Sequence, residues 1–134
     1  MKKILILVIF LVSIIVTSCT GAQDTAKAES FFTGFLSAVK ENKTEEIFAD
    51  APFLNSMNKE QQDATLILFK SLSSSGYRLT TTFVGHGTYN VNVYIPGSSG
   101  KASTYTIGCE KDKNGKWTML QNFQQTVKID RISL

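Results

Sequence analysis

The hydrophobic pattern of the chain changes its period once, near Gly76, and this change restricts the fold more than any other feature. Before it, apolar residues recur at spacings of three and four, which is typical of one face of an α-helix. After it, apolar and polar residues alternate, which is typical of strands with one buried face. Helices that all precede the strands predict an α+β domain, in which N-terminal helices pack on one face of a curved, four-stranded antiparallel sheet. A chain of 134 residues has room for one such core.

Three helices are predicted before the change of period. The first is expected over 25–41, because its apolar residues form one stripe: Ala28, Phe32, Phe35, Leu36 and Val39. A second, short helix is expected from Thr44, as its N-cap, to just before Pro52. The third begins at Asn58, with Gln61 completing a capping-box pattern. The density of apolar residues in this third helix predicts burial on more than one side.

Four strands are predicted after the change, starting near Tyr77, Tyr89, Ser103 and Trp117. Between the third and fourth strands, the pair Asn114-Gly115 favours a type I′ turn, which needs positive φ at both central residues. The fourth strand is long, and a bulge is expected within 121–125.

The first 18 residues have the pattern of an export signal. Lys2 and Lys3 precede an apolar run from Ile4 to Val16. This run is short for a permanent anchor, since a spanning helix needs about 20 apolar residues. The run ends in the sequence Val16-Thr17-Ser18-Cys19. This ending resembles the bacterial lipoprotein signal, in which an aliphatic residue and two small residues precede a cysteine.

The resemblance implies cleavage between Ser18 and Cys19, and a diacylglyceryl and N-acyl anchor (palmitate, for example) on Cys19. Residues 1–18 would then be the signal peptide, 19–24 a lipidated tether and 25–134 the domain. The alternatives are an ordinary signal peptide with an incidental cysteine and an uncleaved anchor. Two or more acyl chains suffice for lasting attachment, because each buried methylene contributes about 0.8 kcal/mol.

The lipoprotein resemblance also implies a location. Thr20, not Asp, follows the cysteine, so the protein is expected at the outer membrane if the cell has two membranes, and otherwise on the outer face of the cell membrane. Lipidation would consume Cys19 and leave Cys109 without an intramolecular partner, so Cys109 is interpreted as a small buried hydrophobic residue. Without the two leader lysines, the chain has 12 basic and 11 acidic residues. This balance argues against nucleic acid as a partner.

Motifs for catalysis, metals and cofactors are missing from the sequence. His86 is the single histidine and lies between glycines in a predicted hairpin, where it is interpreted as a turn residue. The Gly97–Gly100 segment lacks the lysine and the helix of a phosphate-binding loop. We therefore assign no catalytic residue, no metal ligand and no cofactor. The inward strand positions are interpreted first as core and second as the lining of a pocket for an apolar ligand: Tyr77, Phe83, Tyr89, Tyr105, Ile107 and Trp117.

Three features resemble small bacterial lipoproteins with a cystatin-like or nuclear-transport-factor-two-like (ketosteroid-isomerase-like) domain. They are the Phe31–Leu36 run, the short second helix and the Lys113–Trp117 segment near the last predicted hairpin. The resemblance implies a sheet that wraps around a long helix and leaves a cone. We expect a non-catalytic, lipid-anchored module that binds another envelope protein or a small apolar ligand. The alternatives are a small isomerase or hydrolase acting on an apolar substrate in the cone and, from fold analogy alone, an inhibitor-like or adaptor role.

Overall fold

The computed structural model describes residues 24–97 and 101–129, in which helices precede a four-stranded antiparallel sheet. The helices are α1 (24–40), α2 (Thr44–Asp50), a 3-10 helix (Pro52–Ser56) and α3 (Lys59–Ser73). The strands are β1 (Arg78–Gly85), β2 (Thr88–Pro96), β3 (Lys101–Lys111) and β4 (Trp117–Ile129). The predicted α+β class is therefore confirmed. The signal peptide, its cleavage site at Ser18 and Cys19, and most of the tether lie outside the described residues.

The sheet is a meander in the order β1-β2-β3-β4, so each strand pairs with its neighbour in sequence. Tyr89 pairs with Cys109, and Cys109 pairs with Met119. These three side chains are buried because they share the face that packs on the helices. The opposite face is polar, and there the Thr106 hydroxyl donates a hydrogen bond to Asn92 Oδ1 at 2.8 Å.

The core forms where the predicted stripe of α1 meets the sheet. All five residues of that stripe are at most 3% exposed. α3 adds Phe69 and Leu72, and the ring of Phe69 meets Phe35 edge to face at 5.0 Å between centroids. No helix among the described residues is long and apolar enough to cross a membrane.

α3 begins as predicted but is buried on one side only. The Asn58 side chain accepts from the Gln61 backbone N–H at 2.9 Å, and the Gln61 side chain accepts from the Asn58 N–H at 3.2 Å. This reciprocal pair is the capping box. Ala64 is exposed and Ile67 is 69% exposed. The prediction of burial on more than one side was wrong, because the helix contacts the rest of the core along a single face.

α2 has a different N-cap from the predicted one. Lys43 occupies the N-cap and makes no side-chain capping hydrogen bond. Thr44 is already helical. The prediction that Thr44 caps the helix was wrong because the turn after α1 closes at Asn42, whose φ is 56°, and leaves Lys43 as the residue before α2. The chain re-enters a helix almost at once. Glu45 and Glu46 do lie in the first turn, where the helix dipole favours carboxylates.

The β3–β4 turn is organised by a carboxylate instead of a type I′ geometry. Asp112 Oδ1 accepts from the backbone N–H of Asn114 at 2.8 Å and of Lys116 at 2.9 Å. Gly115 has a φ of 82°, whereas Asn114 has no positive φ. The type I′ prediction was therefore wrong. The Asp112 side chain fixes the turn through its hydrogen bonds to the backbone. The Asn-Gly pair alone does not reveal these bonds.

β4 contains the expected bulge. The register shifts between Ile107, which pairs with Phe123, and Cys109, which pairs with Met119. Three β4 residues, 120–122, therefore lie opposite the single residue Gly108. The Asn122 side-chain amide lies against Gly108, where a Cβ would require it to move.

Candidate ligand pocket

An apolar pocket of about 220 Å³ lies between the 3-10 helix, α3 and the β3–β4 half of the sheet. Its apolar lining includes Phe53, Met57, Leu68, Phe69, Ile107 and Phe123. The β4 bulge also contributes, since Leu120 and Gln121 line the pocket. The pocket therefore depends on the two irregular segments of the fold, the 3-10 helix and the bulge.

Aromatic rings pack on one another along one wall of the pocket. Phe123 meets Phe69 edge to face at 6.1 Å and lies 5.6 Å from the ring of Tyr105. The ring of Phe69 also contacts the ring of Phe35 in the core. These ring contacts stabilise this wall of the pocket.

The opposite wall is held by hydrogen bonds from α3. Gln62 Nε2 donates to the Leu54 carbonyl at 2.8 Å and ties the 3-10 helix to α3. The Thr65 hydroxyl donates to the Gln61 carbonyl at 2.8 Å and lies 3.7 Å from the Met57 sulfur. The Thr65 oxygen retains acceptor capacity, so it offers the pocket one weak polar contact.

The described lining of the pocket contains no ionisable side chain. Thr65, Gln121 and the sulfurs of the two lining methionines are its polar atoms. Proton transfer at the pocket would need an acid or base from elsewhere. The chemistry of the walls suits the burial of an apolar molecule.

The six inward residues predicted from the sequence do not all line the pocket. Five of them lie at paired positions on the helix-facing side of the sheet, and Tyr77 directly precedes β1. Only Ile107 among them lines the pocket. Tyr89 is buried, while Tyr77, Tyr105 and Trp117 are partly buried against the core. Phe83 lies at the edge strand and is 56% exposed.

Sequence reasoning missed most of the lining. Phe53 and Met57 lie in or beside the 3-10 helix, where no helical or strand periodicity marks them. Leu68 and Phe123 lie on elements that were predicted, but nothing in the pattern shows that they share a cavity. The available signal was the group of apolar residues after Pro52, in a segment without regular periodicity.

A second group of polar and aromatic side chains ties the start of α1 to the sheet. Lys111 Nζ lies 3.2 Å from both carboxylate oxygens of Asp24, and the Tyr89 hydroxyl donates to Asp24 Oδ2 at 3.4 Å. Burial, and next the Asp24 charge, raise the pKa of Tyr89. The ring of Trp117 packs on Tyr89 at 5.2 Å and on Phe31 at 6.2 Å. This group is a structural clamp outside the pocket.

The other titratable side chains also lie outside the pocket. Cys109 is fully buried, and burial raises its pKa to about 12, so the thiol stays protonated. Burial, and then the Glu46 charge, raise the pKa of Asp50, whereas Lys116 opposes the shift. His86 has a φ of 51° and is exposed in the β1–β2 turn. Within the described residues, no group of three or more His, Cys, Asp or Glu side chains could hold a metal ion.

Comparison with known proteins gives no counterpart, since no protein-family model, curated protein or solved structure matches the chain.

Proposed function

We propose that this protein is a lipid-anchored module of the bacterial cell envelope that binds a small apolar molecule in the pocket beneath α3. The observation that carries the proposal is an open pocket of about 220 Å³ whose described walls are apolar and free of ionisable groups. A dry apolar cavity of about 150 Å³ in another protein binds benzene. The volume here is sufficient for a somewhat larger molecule.

The same observation favours binding over catalysis. An isomerase or hydrolase that worked in this pocket would need a group to move a proton, and the described lining offers none. Asp50, Tyr89 and Cys109, whose pKa values are raised mainly by burial, are used in packing or lie away from the pocket. The packed aromatic wall and the lack of charged side chains in the described lining support a ligand held by apolar contact.

The proposed anchor is supported by the sequence Val16–Cys19 directly after the apolar leader. Acylated Cys19 would hold the module at the outer membrane of a cell with two membranes, or at the outer face of a single membrane. The near balance of charge in the mature chain supports attachment through acyl chains instead of through basic residues.

We also infer a cystatin-like or nuclear-transport-factor-two-like domain. The support is the order of elements, in which a long helix and shorter ones precede an antiparallel meander that packs on them. The position of the pocket, between the helices and a bulged strand, is compatible with a narrowed cone. An experimental structure in which the sheet does not wrap around α1 would refute this inference.

Ligand binding is tested with the apolar fluorophore N-phenyl-1-naphthylamine and the purified acylated protein. We expect emission to increase on binding, and Thr65→Phe to abolish the increase because the added ring occupies the pocket. Thr82→Phe is the matched control, since Thr82 is exposed on β1, outside the lining. Equal emission with wild type and Thr65→Phe, both folded by circular dichroism, would contradict the proposal.

The anchor is tested by mass spectrometry of protein extracted from membranes. We expect the chain to begin at Cys19 and to carry diacylglyceryl and acyl masses, whereas Cys19→Ser carries neither and keeps its leader. An N-terminus at Met1 in the wild type, or one without fatty mass, would contradict the anchor but would leave the binding result standing.

A further inference from the structure

Two hairpins and the start of α1 meet at one end of the sheet, which we name the hairpin end (83–88, 110–117 and Asp24). The Gly87 carbonyl accepts from the Lys111 backbone N–H at 2.9 Å, which joins the β1–β2 turn to the end of β3. Asp24 binds the Lys111 side chain, which joins α1 to the same place. The chain therefore enters the described domain at the hairpin end.

The hairpin end carries adjacent exposed apolar side chains. Large apolar residues that are exposed in the described part of the chain are Ile67, Phe83, Val84 and Tyr94. Phe83 and Val84 are consecutive, are 56% and 59% exposed, and lie where the register between β1 and β2 shifts. The hairpin tip therefore exposes two adjacent apolar side chains. Phe83 is partly fixed by Tyr89, whose ring lies 5.1 Å away.

The covalent length of the tether restricts where this end can lie. Asp24 follows Cys19 by five residues, and five extended residues span at most about 18 Å. If Cys19 is acylated, the hairpin end is held within about this distance of the membrane surface. By contrast, Val39 near the other end of α1 lies roughly 22 Å further along the helix, at 1.5 Å per residue.

We propose that the hairpin end rests on the lipid bilayer, with Phe83 and Val84 in the interface between headgroups and acyl chains. This inference depends on the proposed lipid anchor and adds an orientation to it. Apolar and aromatic side chains favour this depth of the membrane, and their burial would add to the attachment by the acyl chains. The C-terminal end of α1 and the far end of the sheet then face away from the membrane.

The contact is apolar instead of electrostatic. Residues 110–117 contain three lysines and two carboxylates, and Asp24 adds a third carboxylate, so the charges balance. A zwitterionic phosphatidylcholine bilayer is therefore the appropriate probe, and added salt should leave the contact unchanged.

Val84→Cys and Ile67→Cys provide a matched pair of labelling sites. Both replace an exposed aliphatic residue, at 59% and 69% exposure, and Ile67 lies in a groove beside Val39, away from the hairpin end. Cys19 is acylated in the proposed product, and Cys109 is buried with a protonated thiol. A thiol-reactive nitrobenzoxadiazole dye should therefore label only the introduced cysteine, and the wild type serves as the blank.

The labelled, acylated proteins are reconstituted in phosphatidylcholine vesicles with and without spin-labelled phosphatidylcholine. We expect the quencher to remove most of the emission at position 84 and none at position 67. Equal quenching at both positions, or none at either, in protein that floats with the vesicles would overturn the orientation while the anchor stands. Protein that neither floats nor carries acyl mass would overturn the anchor, and the orientation with it.

Discussion

Phe35 joins α1 to α3 in the core. It is fully buried and meets Phe69 edge to face. We expect Phe35→Ala to lower the free energy of unfolding by about 3–5 kcal/mol, because the deletion loses apolar burial and leaves a cavity. Urea denaturation followed by circular dichroism measures the change. Thr33→Ala, an exposed substitution on the same helix, is the control and should change stability by no more than about 0.5 kcal/mol.

If Phe35→Ala were as stable as the wild type, the assignment of the α1 face to the core would be wrong. At this scale the sequence was informative where one periodic pattern decided burial, as it did for all five residues of the α1 stripe. It was not informative for Phe83. Alternation places Phe83 on the inner side of β1, but the pattern does not show that the helices fail to cover the edge of the sheet there.

The start of α3 allows a prediction about a single element. Asn58→Ala removes the acceptor for the Gln61 N–H, and we expect a loss of about 1 kcal/mol in the free energy of unfolding. Thr44→Ala is the control: Thr44 makes no capping bond in the structure, so its removal should cost at most a few tenths of this value. The comparison is made by urea denaturation at one pH.

A larger loss for Thr44→Ala than for Asn58→Ala would reverse the assignment of the two caps. The capping box could be predicted because its two residues lie three apart and bind each other. The N-cap of α2 could not, because it depends on where α1 stops, and Asn42 stops α1 by adopting positive φ. The pocket was hidden for a similar reason. It is bounded by a 3-10 helix and a bulge, and neither has the regular periodicity from which burial is inferred.

For the molecule as a whole, Cys109 reports on the cooperativity of the core. It lies on β3, between β2 and β4, and its burial depends on both pairings. The thiol can ionise in the unfolded chain near pH 9, but burial raises its pKa in the folded protein to about 12. The folded state therefore holds a proton that the unfolded state releases between these values. Stability from this source is fully present below pH 9 and is lost as the pH rises towards 12.

We expect the free energy of unfolding of the wild type to fall above pH 9, with a slope from this thiol that approaches about 1.4 kcal/mol per pH unit. Cys109→Ala is less stable at every pH but lacks this contribution, so the difference between the two curves isolates it. Tyr89, whose pKa is also raised, acts in the same direction in both proteins. Denaturation curves from pH 7 to 10 provide the measurement. Parallel pH profiles would mean that Cys109 reaches solvent without global unfolding, and that β3 is not the interior strand of a single cooperative core.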